Sequence, residues 1–281
     1  MTMQDGHGEA DEKGGKIPHS IANAKRSVLY CWQVNDMSKT ERKPWSKKKK
    51  ITVWTVTAIA VVAAIVYLIG SLVDYWYLYV YIDYKRVYFA FDNLKVEADH
   101  VVFVGDSITD GCNLDKYYPT LSAYNRGIAG QTSDDLLHDM SGCIYDLQPK
   151  LIVLLVGTND YQRCHAHSNE HILTEYRSIL AGIREHLPDA KVLVQSVYPI
   201  SDVSFHRHYK YGHGHITDLN AGIAALAAEY GFTYADVFSI LTVGDEEMNP
   251  AYSEDGLHPN DAGYQVISAY LTPIIEGMLA A

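Results

Sequence analysis

The sequence predicts an α/β protein built on a parallel sheet and preceded by a single transmembrane helix. Three features carry this reading. Short apolar runs alternate with helical periods from residue 98 onward, residues 51–73 contain no charged side chain, and acid and base divide sharply on either side of that stretch.

Residues 1–50 are polar, rich in Gly and Lys, and show no sustained apolar period, so they read as a disordered cytoplasmic tail. Met37 opens MSKTERKPWSKKKK, which by itself makes an ordinary leader for a signal anchor. A translation start at Met37, with residues 1–36 lying outside the translated chain, is one expectation.

Residues 51–73 run for 23 positions without a charge. At about 1.5 Å per residue a helix of that length crosses a hydrocarbon core of about 30 Å. Buried helices of soluble proteins rarely run so far without a polar face. The stretch also exceeds the 7–15 residues of a signal-peptide core, and although Ala58 and Ala60 form an A-x-A, apolar sequence continues straight through it. A retained anchor is therefore expected.

Lys47 to Lys50, with Arg42 and Lys43, precede the span, whereas Asp74 follows it. The positive-inside bias places the N-terminus in the cytoplasm and everything after the span outside it. Residues 1–50 carry 11 Lys or Arg against 6 Asp or Glu; residues 71–281 carry 12 against 28. So acidic an exported part argues against nucleic acid as a partner.

In residues 74–97 aromatic side chains crowd together: Tyr75, Trp76, Tyr77, Tyr79, Tyr81, Tyr84 and Tyr88. Such rings favour the headgroup layer, where the ring is apolar and the tip wet. Two readings stand: a juxtamembrane stalk, or a helix packed on the following domain.

From 98 to 281 one domain is expected. HVVFV (100–104), LIVLLV (151–156) and KVLVQSV (191–197) are too short for buried helices and rich in β-branched residues, so they read as buried parallel strands. Helical periods fall near 134–147, 169–187, 215–230 and 260–279, and no internal repeat is present.

In a parallel sheet, ligands bind at the carboxyl ends of strands. Gly105-Asp106-Ser107 follows the first strand and Gly157-Thr158-Asn159-Asp160 another, so both reach one rim. Ser107 is the candidate nucleophile; a serine hydroxyl needs a neighbouring base to take its proton. His258 is the candidate base, and Asp255, three residues earlier, is placed to fix its tautomer. For a developing oxyanion, the candidate donors are the backbone N–H groups of Ser107 and Gly130 and the side-chain amide of Asn159. Gly130 lies in N-R-G-I-A-G (125–130), and lack of a side chain allows close approach to its backbone. Asp106 and Asp160 are expected to brace loops.

These four segments, G-D-S-I-T, N-R-G-I-A-G, G-T-N-D and D-G-L-H, resemble in identity and order the blocks of the SGNH hydrolases, the GDSL esterase and lipase superfamily. The resemblance covers residues 98–281. It implies a flavodoxin-like three-layer α/β/α sandwich and a carboxylic-ester hydrolase of serine type. The catalytic set becomes Ser107, Asp255 and His258, the oxyanion set Ser107, Gly130 and Asn159, with no metal and no cofactor. Ile108 stands where many members have Leu, which leaves the chemistry intact. The order Ser, Asp, His without G-x-S-x-G separates the chain from the α/β-hydrolases.

Two histidine groups, His165/His167/His171 and His206/His208/His213/His215, have spacings that could bind metal. With no fixed acid or Cys pattern beside them, they are expected to be solvated residues lining the substrate wall. Cys112, Cys143 and Cys164 follow the span and Cys31 precedes it. An odd number outside leaves at least one thiol unpaired in the monomer; a Cys112–Cys164 bridge and three free thiols both remain open.

The resulting expectation is a membrane-anchored extracytoplasmic esterase acting on short O-acyl groups of glycans or on lysophospholipid-type lipids. The alternatives are an O-acyltransferase using the same serine and a non-catalytic binding module. A related transferase would need a multi-span partner, and a silent module would be expected to have lost a site residue, whereas none is missing. The sequence has no N-x-S/T acceptor, which favours a bacterial surface.

Overall fold

In the computed structural model, which describes residues 44–97, 99–161, 167–201, 216–244 and 246–281, the apolar stretch forms one helix, α1 (Lys47–Tyr75). The expected tail up to residue 43, with Met37 and Cys31, lies outside the described residues. Within α1, Lys47–Val73 is long and apolar enough to cross a membrane, and none of its most apolar stretch is buried by protein. Its hydroxyls are satisfied locally: Thr52 donates to Lys48 O at 3.0 Å and Thr55 to Ile51 O at 2.9 Å. Each needs no water.

The chain divides into two compact units, Met1–Ile69 and Gly70–Ala281. In the second, a π-helical stretch, Trp76–Tyr81, leads into α2 (Ile82–Asp92). There follow β1 (Val101–Gly105), α3 (Ser107–Asp110), α4 (Leu114–Tyr117), β2 (Ala123–Gly127), α5 (Ser133–Cys143), β3 (Leu151–Leu155), α6 (Asn169–His186) and β4 (Lys191–Gln195). The chain continues through α7 (Ile216–Glu229), β5 (Thr233–Ala235), α8 (Val237–Leu241), the hairpin pair β6 (Thr242–Val243) and β7 (Glu247–Met248), and α9 (Asp261–Ala280).

Five strands form one parallel sheet in the order β2-β1-β3-β4-β5. This is the flavodoxin-like order, whose switch point lies between β1 and β3. Alternation along the strands buries both faces. Val102, Val104, Ile152, Leu154, Val192 and Val194 pack on one side with Phe89, Leu136, Ile179 and Ile223 from α2, α5, α6 and α7. Val101, Phe103, Leu151, Val153, Leu155 and Leu193 pack on the other with Ile267, Leu271 and Ile275 of α9. The three-layer sandwich implied by the resemblance is the fold observed.

Of the two readings for the aromatic segment, the packed helix holds for α2. Phe89 is fully buried, and burying such a ring contributes roughly 2–3 kcal/mol. Arg86 Nε donates to Asp139 Oδ1 at 2.9 Å, and Asn93 Nδ2 to Gly142 O at 2.8 Å. Arg126, in β2, is among the largest fully buried side chains. Its guanidinium donates to Asp92 Oδ2 at 2.8 Å and Asn93 Oδ1 at 2.7 Å, and it lies over the Phe89 ring. A buried charge needs such partners.

Candidate active site

β1 ends at Gly105 because only a residue without a side chain fits there. Its φ is +156°, and a Cβ would come within 1.8 Å of Leu155 O in β3. The chain then turns sharply into α3. Asp106 caps this short helix, its Oδ1 accepting from Ile108 N at 2.9 Å, which leaves Ser107 at the first helical position over the switch point.

His258 reaches Ser107 from the loop before α9. Asn260 caps α9, accepting from Gly263 N at 3.0 Å, and so fixes where the loop ends. Ser107 Oγ lies 2.9 Å from His258 Nε2, and His258 Nδ1 lies 2.7 Å from Asp255 Oδ2. With Asp255 ionised, the ring proton belongs on Nδ1, so Nε2 accepts from the serine hydroxyl. Asp255 stays charged although burial works against it. The hydrogen bonds from the His258 ring and from the backbone N–H groups of Leu257 and His258 outweigh that penalty and hold its carboxyl well below the usual range. Ser253 contributes a second brace, its Oγ 2.8 Å from His258 O and 3.1 Å from Asp255 Oδ1.

The loop carrying Gly130 is pinned on both sides of it. Ile128 N donates to Gly105 O at 2.9 Å, Ala129 N to Asp110 Oδ2 at 3.2 Å, and Gln131 N to Ile128 O at 3.1 Å. Gly130 has a φ of +83°, a left-handed conformation that glycine adopts without strain. Asn159 is tied to the same loop, its Nδ2 donating to Gln131 O at 3.0 Å. Ser107, Gly130, Asn159, Asp255 and His258 thus sit on turns and loops linked by hydrogen bonds at one rim, Ser107 opening α3 and Asn159 a 3-10 turn.

Several bracing residues escaped the sequence reading. Asn125 Nδ2 donates to Thr109 O at 2.7 Å and Cys112 O at 3.1 Å, fastening the serine turn to β2. Asp110 receives Lys85 Nζ at 2.7 Å and the Tyr81 hydroxyl, both from the segment before β1. Asn125 opens the second motif and carried a signal; Asp110 had none, because its partners lie 25 and 29 residues away in sequence.

The expected bracing roles for the two other acids are visible. Asp160 Oδ1 accepts from Ser133 Oγ at 2.6 Å and its Oδ2 from Ser133 N at 3.0 Å, joining the Asn159 turn to the start of α5. Burial raises the Asp160 pKa despite these bonds. Asp106 is wholly buried, and burial pushes its carboxyl up to about 7.

Of the histidine groups, His165, His206, His208, His213 and His215 lie outside the described residues, as does Cys164. His167 and His171 do have an acidic partner, contrary to the sequence reading. His171 Nε2 lies 2.9 Å and His167 Nδ1 3.3 Å from Asp134 Oδ2, and His167 Nδ1 is also 3.1 Å from Asp160 Oδ1. Asp134, His167 and His171 bring their donor atoms within 4.8 Å of one another and could hold a metal ion. They also satisfy one another directly: the Asp134 hydrogen bond raises the His171 pKa, favouring a charged ring. Cys112 and Cys143 are free thiols whose pKa burial pushes up to about 12, which makes them poor nucleophiles. A cleft of about 550 Å3 lined by Thr217, Asn220, Tyr234, Asp236 and Phe238 contains none of the five candidate residues, so size alone does not mark the site.

The chain is 28% identical over 152 residues to the multidomain esterase of Ruminococcus flavefaciens, a match covering 52% of this chain and 18% of that protein. It is 30% identical over 110 residues to the platelet-activating factor acetylhydrolase IB subunit alpha1 of Bos taurus, covering 37% of this chain and 46% of the relative. The chain thus spans less than half the length of either. A GDSL-like lipase structure from Bacteroides thetaiotaomicron superposes with a TM-score of 0.63 at 28% identity, covering 68% of this chain and 97% of that one. The family model of the GDSL-like lipases and acylhydrolases matches residues 103–266, from the strand before Ser107 to the helix after His258. With more than half of its length in that match, the chain belongs to the GDSL-like lipase/acylhydrolase family.

Proposed function

We propose that the protein is a membrane-anchored, extracytoplasmic carboxylic-ester hydrolase working through a serine acyl-enzyme. The observation that supports this most directly is the continuous path from Ser107 Oγ through His258 to Asp255, with steps of 2.9 and 2.7 Å. In this reading Ser107 Oγ attacks the ester carbonyl carbon while His258 Nε2 takes its proton. The N–H groups of Ser107 and Gly130 and the Asn159 amide receive the charge on the carbonyl oxygen, each donor contributing about 3 kcal/mol. Collapse breaks the ester bond, the departing alcohol takes the proton from Nε2, and the acyl group stays on Ser107. Water then gives a proton to Nε2 as it attacks the acyl carbon, the bond to Ser107 Oγ breaks, and Oγ takes the proton back from Nε2 as the acid leaves.

The proposed organisation is a cytoplasmic tail over residues 1–50, an anchor over 51–73, a juxtamembrane segment over 74–97 and the hydrolase domain over 98–281. Helix α1 supports the anchor by its length and its apolar, protein-free surface. The substrates proposed are short O-acyl groups on glycans or lysophospholipid-type lipids; a relative named for acetyl hydrolysis supports a short acyl group.

The test is hydrolysis of p-nitrophenyl esters, from acetate to long-chain acyl, by the detergent-solubilised full chain beside Ser107→Ala. Loss of at least about 10⁴-fold in the variant is expected. Equal inertness of both would replace hydrolysis by transfer or binding.

A further inference from the structure

An apolar stripe runs along the outward side of α2 and the turn before it. Val80, Tyr84, Val87, Tyr88 and Phe91 follow one another at helical spacing and share a face. All are exposed, from 45% for Val80 to 67% for Phe91. The opposite side carries Lys85, Arg86 and Phe89 onto the domain. Soluble surfaces scatter single apolar residues; a continuous stripe of this kind marks a surface that something covers.

Three observations point to lipid as the covering layer. The stripe is mostly aromatic and follows exposed Tyr75 and Trp76, the residue types whose rings and polar tips suit the headgroup layer. It begins seven residues after Val73, and in helical backbone that is about 10 Å of chain. Lys85 and Arg86 turn inward and pair with Asp110 and Asp139, and Val80, Tyr84, Val87, Tyr88 and Phe91 carry no charge, so the stripe is neutral within a domain that is otherwise strongly acidic. Lipid phosphates therefore meet no local repulsion at the stripe.

We propose that α2, with the turn before it, is a membrane-docking surface whose Val80–Phe91 stripe lies in the headgroup layer, and that the ester hydrolysed is carried by a membrane-borne molecule. This rests on the anchored-esterase reading and narrows its substrate. The same segment reaches the catalytic rim from its inner side: Lys85 of α2 and Tyr81 just before it hold Asp110, the last residue of the turn that Ser107 opens. A docked α2 thus brings its N-terminal end, and the serine turn beside it, to the lipid surface.

The full chain is reconstituted in phosphatidylcholine vesicles containing a diazirine phospholipid reactive at the headgroup boundary, irradiated, and mapped by mass spectrometry. Adducts on 51–73 and on Tyr84, Val87, Tyr88 or Phe91, with none on α9, are expected. Adducts on 51–73 with none on α2 overturn the docking surface. Adducts on neither overturn the anchor and the docking together. Disulfide-linked dimers formed by Tyr88→Cys would make a second copy the occupant and also overturn it. For the substrate class, Val87→Glu/Phe91→Glu is assayed on a long-chain acyl ester held in vesicles and on soluble p-nitrophenyl acetate. A loss of tenfold or more on the first and less than twofold on the second is expected. Equal effects on both overturn the membrane-borne substrate, and a wild-type chain inert on both overturns the esterase reading beneath it.

Discussion

Asp255 holds His258 at two points: its Oδ2 lies 2.7 Å from the ring Nδ1, and its Oδ1 accepts the backbone N–H of the same residue at 2.8 Å. The backbone bond sets where the imidazole starts, and the ring bond sets which nitrogen carries the proton. Asp255→Asn keeps the shape but offers an N–H toward Nδ1, favouring the tautomer in which Nε2 is protonated and cannot accept from Ser107. A fall in kcat of about 10⁴ with little change in KM is expected in steady-state ester hydrolysis. A loss below tenfold would remove Asp255 from this role.

Asp110 links α2 to the loop carrying Gly130, the candidate oxyanion donor, taking Lys85 Nζ on one oxygen and the Ala129 N–H, next to Gly130, on the other. Asp110→Ala frees that loop, and a donor displaced by a fraction of an ångström stabilises the transition state less. The expected result is a loss of roughly tenfold in kcat with KM within twofold, while Asp110→Asn, which keeps an acceptor, recovers most of the rate. Equal losses in the two variants would assign Asp110 to charge and not to positioning.

The domain boundary expected at residue 98 has a measurable consequence. A chain starting there loses Asp92 and Asn93, the partners of buried Arg126, together with the Phe89 ring that lies beneath its guanidinium. Losing the buried Phe89 ring alone costs about 3–5 kcal/mol, as a Phe→Ala change in a core does. Urea unfolding is therefore expected to show residues 98–281 less stable than residues 70–281 by at least that amount, and equal midpoints would contradict the role given to α2.

Local pattern revealed the parts of the fold whose signal is local. The cores of β1, β3 and β4 are unbroken apolar runs, and the periods of α5, α6, α7 and α9 are regular, so each was found within a few residues of its observed bounds. β2 and β5 were missed. AYNRG has only partly buried positions at its start and carries an Arg, and TYA is three residues long; both are strands because a neighbour pairs with them, not because of their composition. The candidate site was legible for a related reason: Ser107, Asn159 and His258 stand in short motifs where a turn requires fixed neighbours. Contacts between distant segments, such as Lys85–Asp110 and Arg126–Asp92, leave no mark on local sequence. Asp134 beside His167 and His171 likewise appears only when the starts of α5 and α6 meet.

Asp106 offers a test in which the sign follows from burial. Its carboxyl is 0% exposed, Oδ1 is occupied by the Ile108 N–H, and burial pushes the pKa up to about 7 from an unfolded value near 4. Between those two values the folded chain holds a proton that the unfolded chain has released. This group's stabilising contribution is therefore complete below about pH 4 and falls as pH rises through about 7, levelling beyond it. Three pKa units bound the loss at roughly 4 kcal/mol. Asp106→Asn keeps an acceptor for Ile108 and removes the ionisation, so the difference in unfolding free energy between variant and wild type should grow in favour of the variant from pH 5 to pH 8. Guanidinium unfolding at each pH measures it. A difference that stays constant across that window would mean that Asp106 remains ionised throughout, held charged by groups other than the single backbone N–H that caps the serine turn.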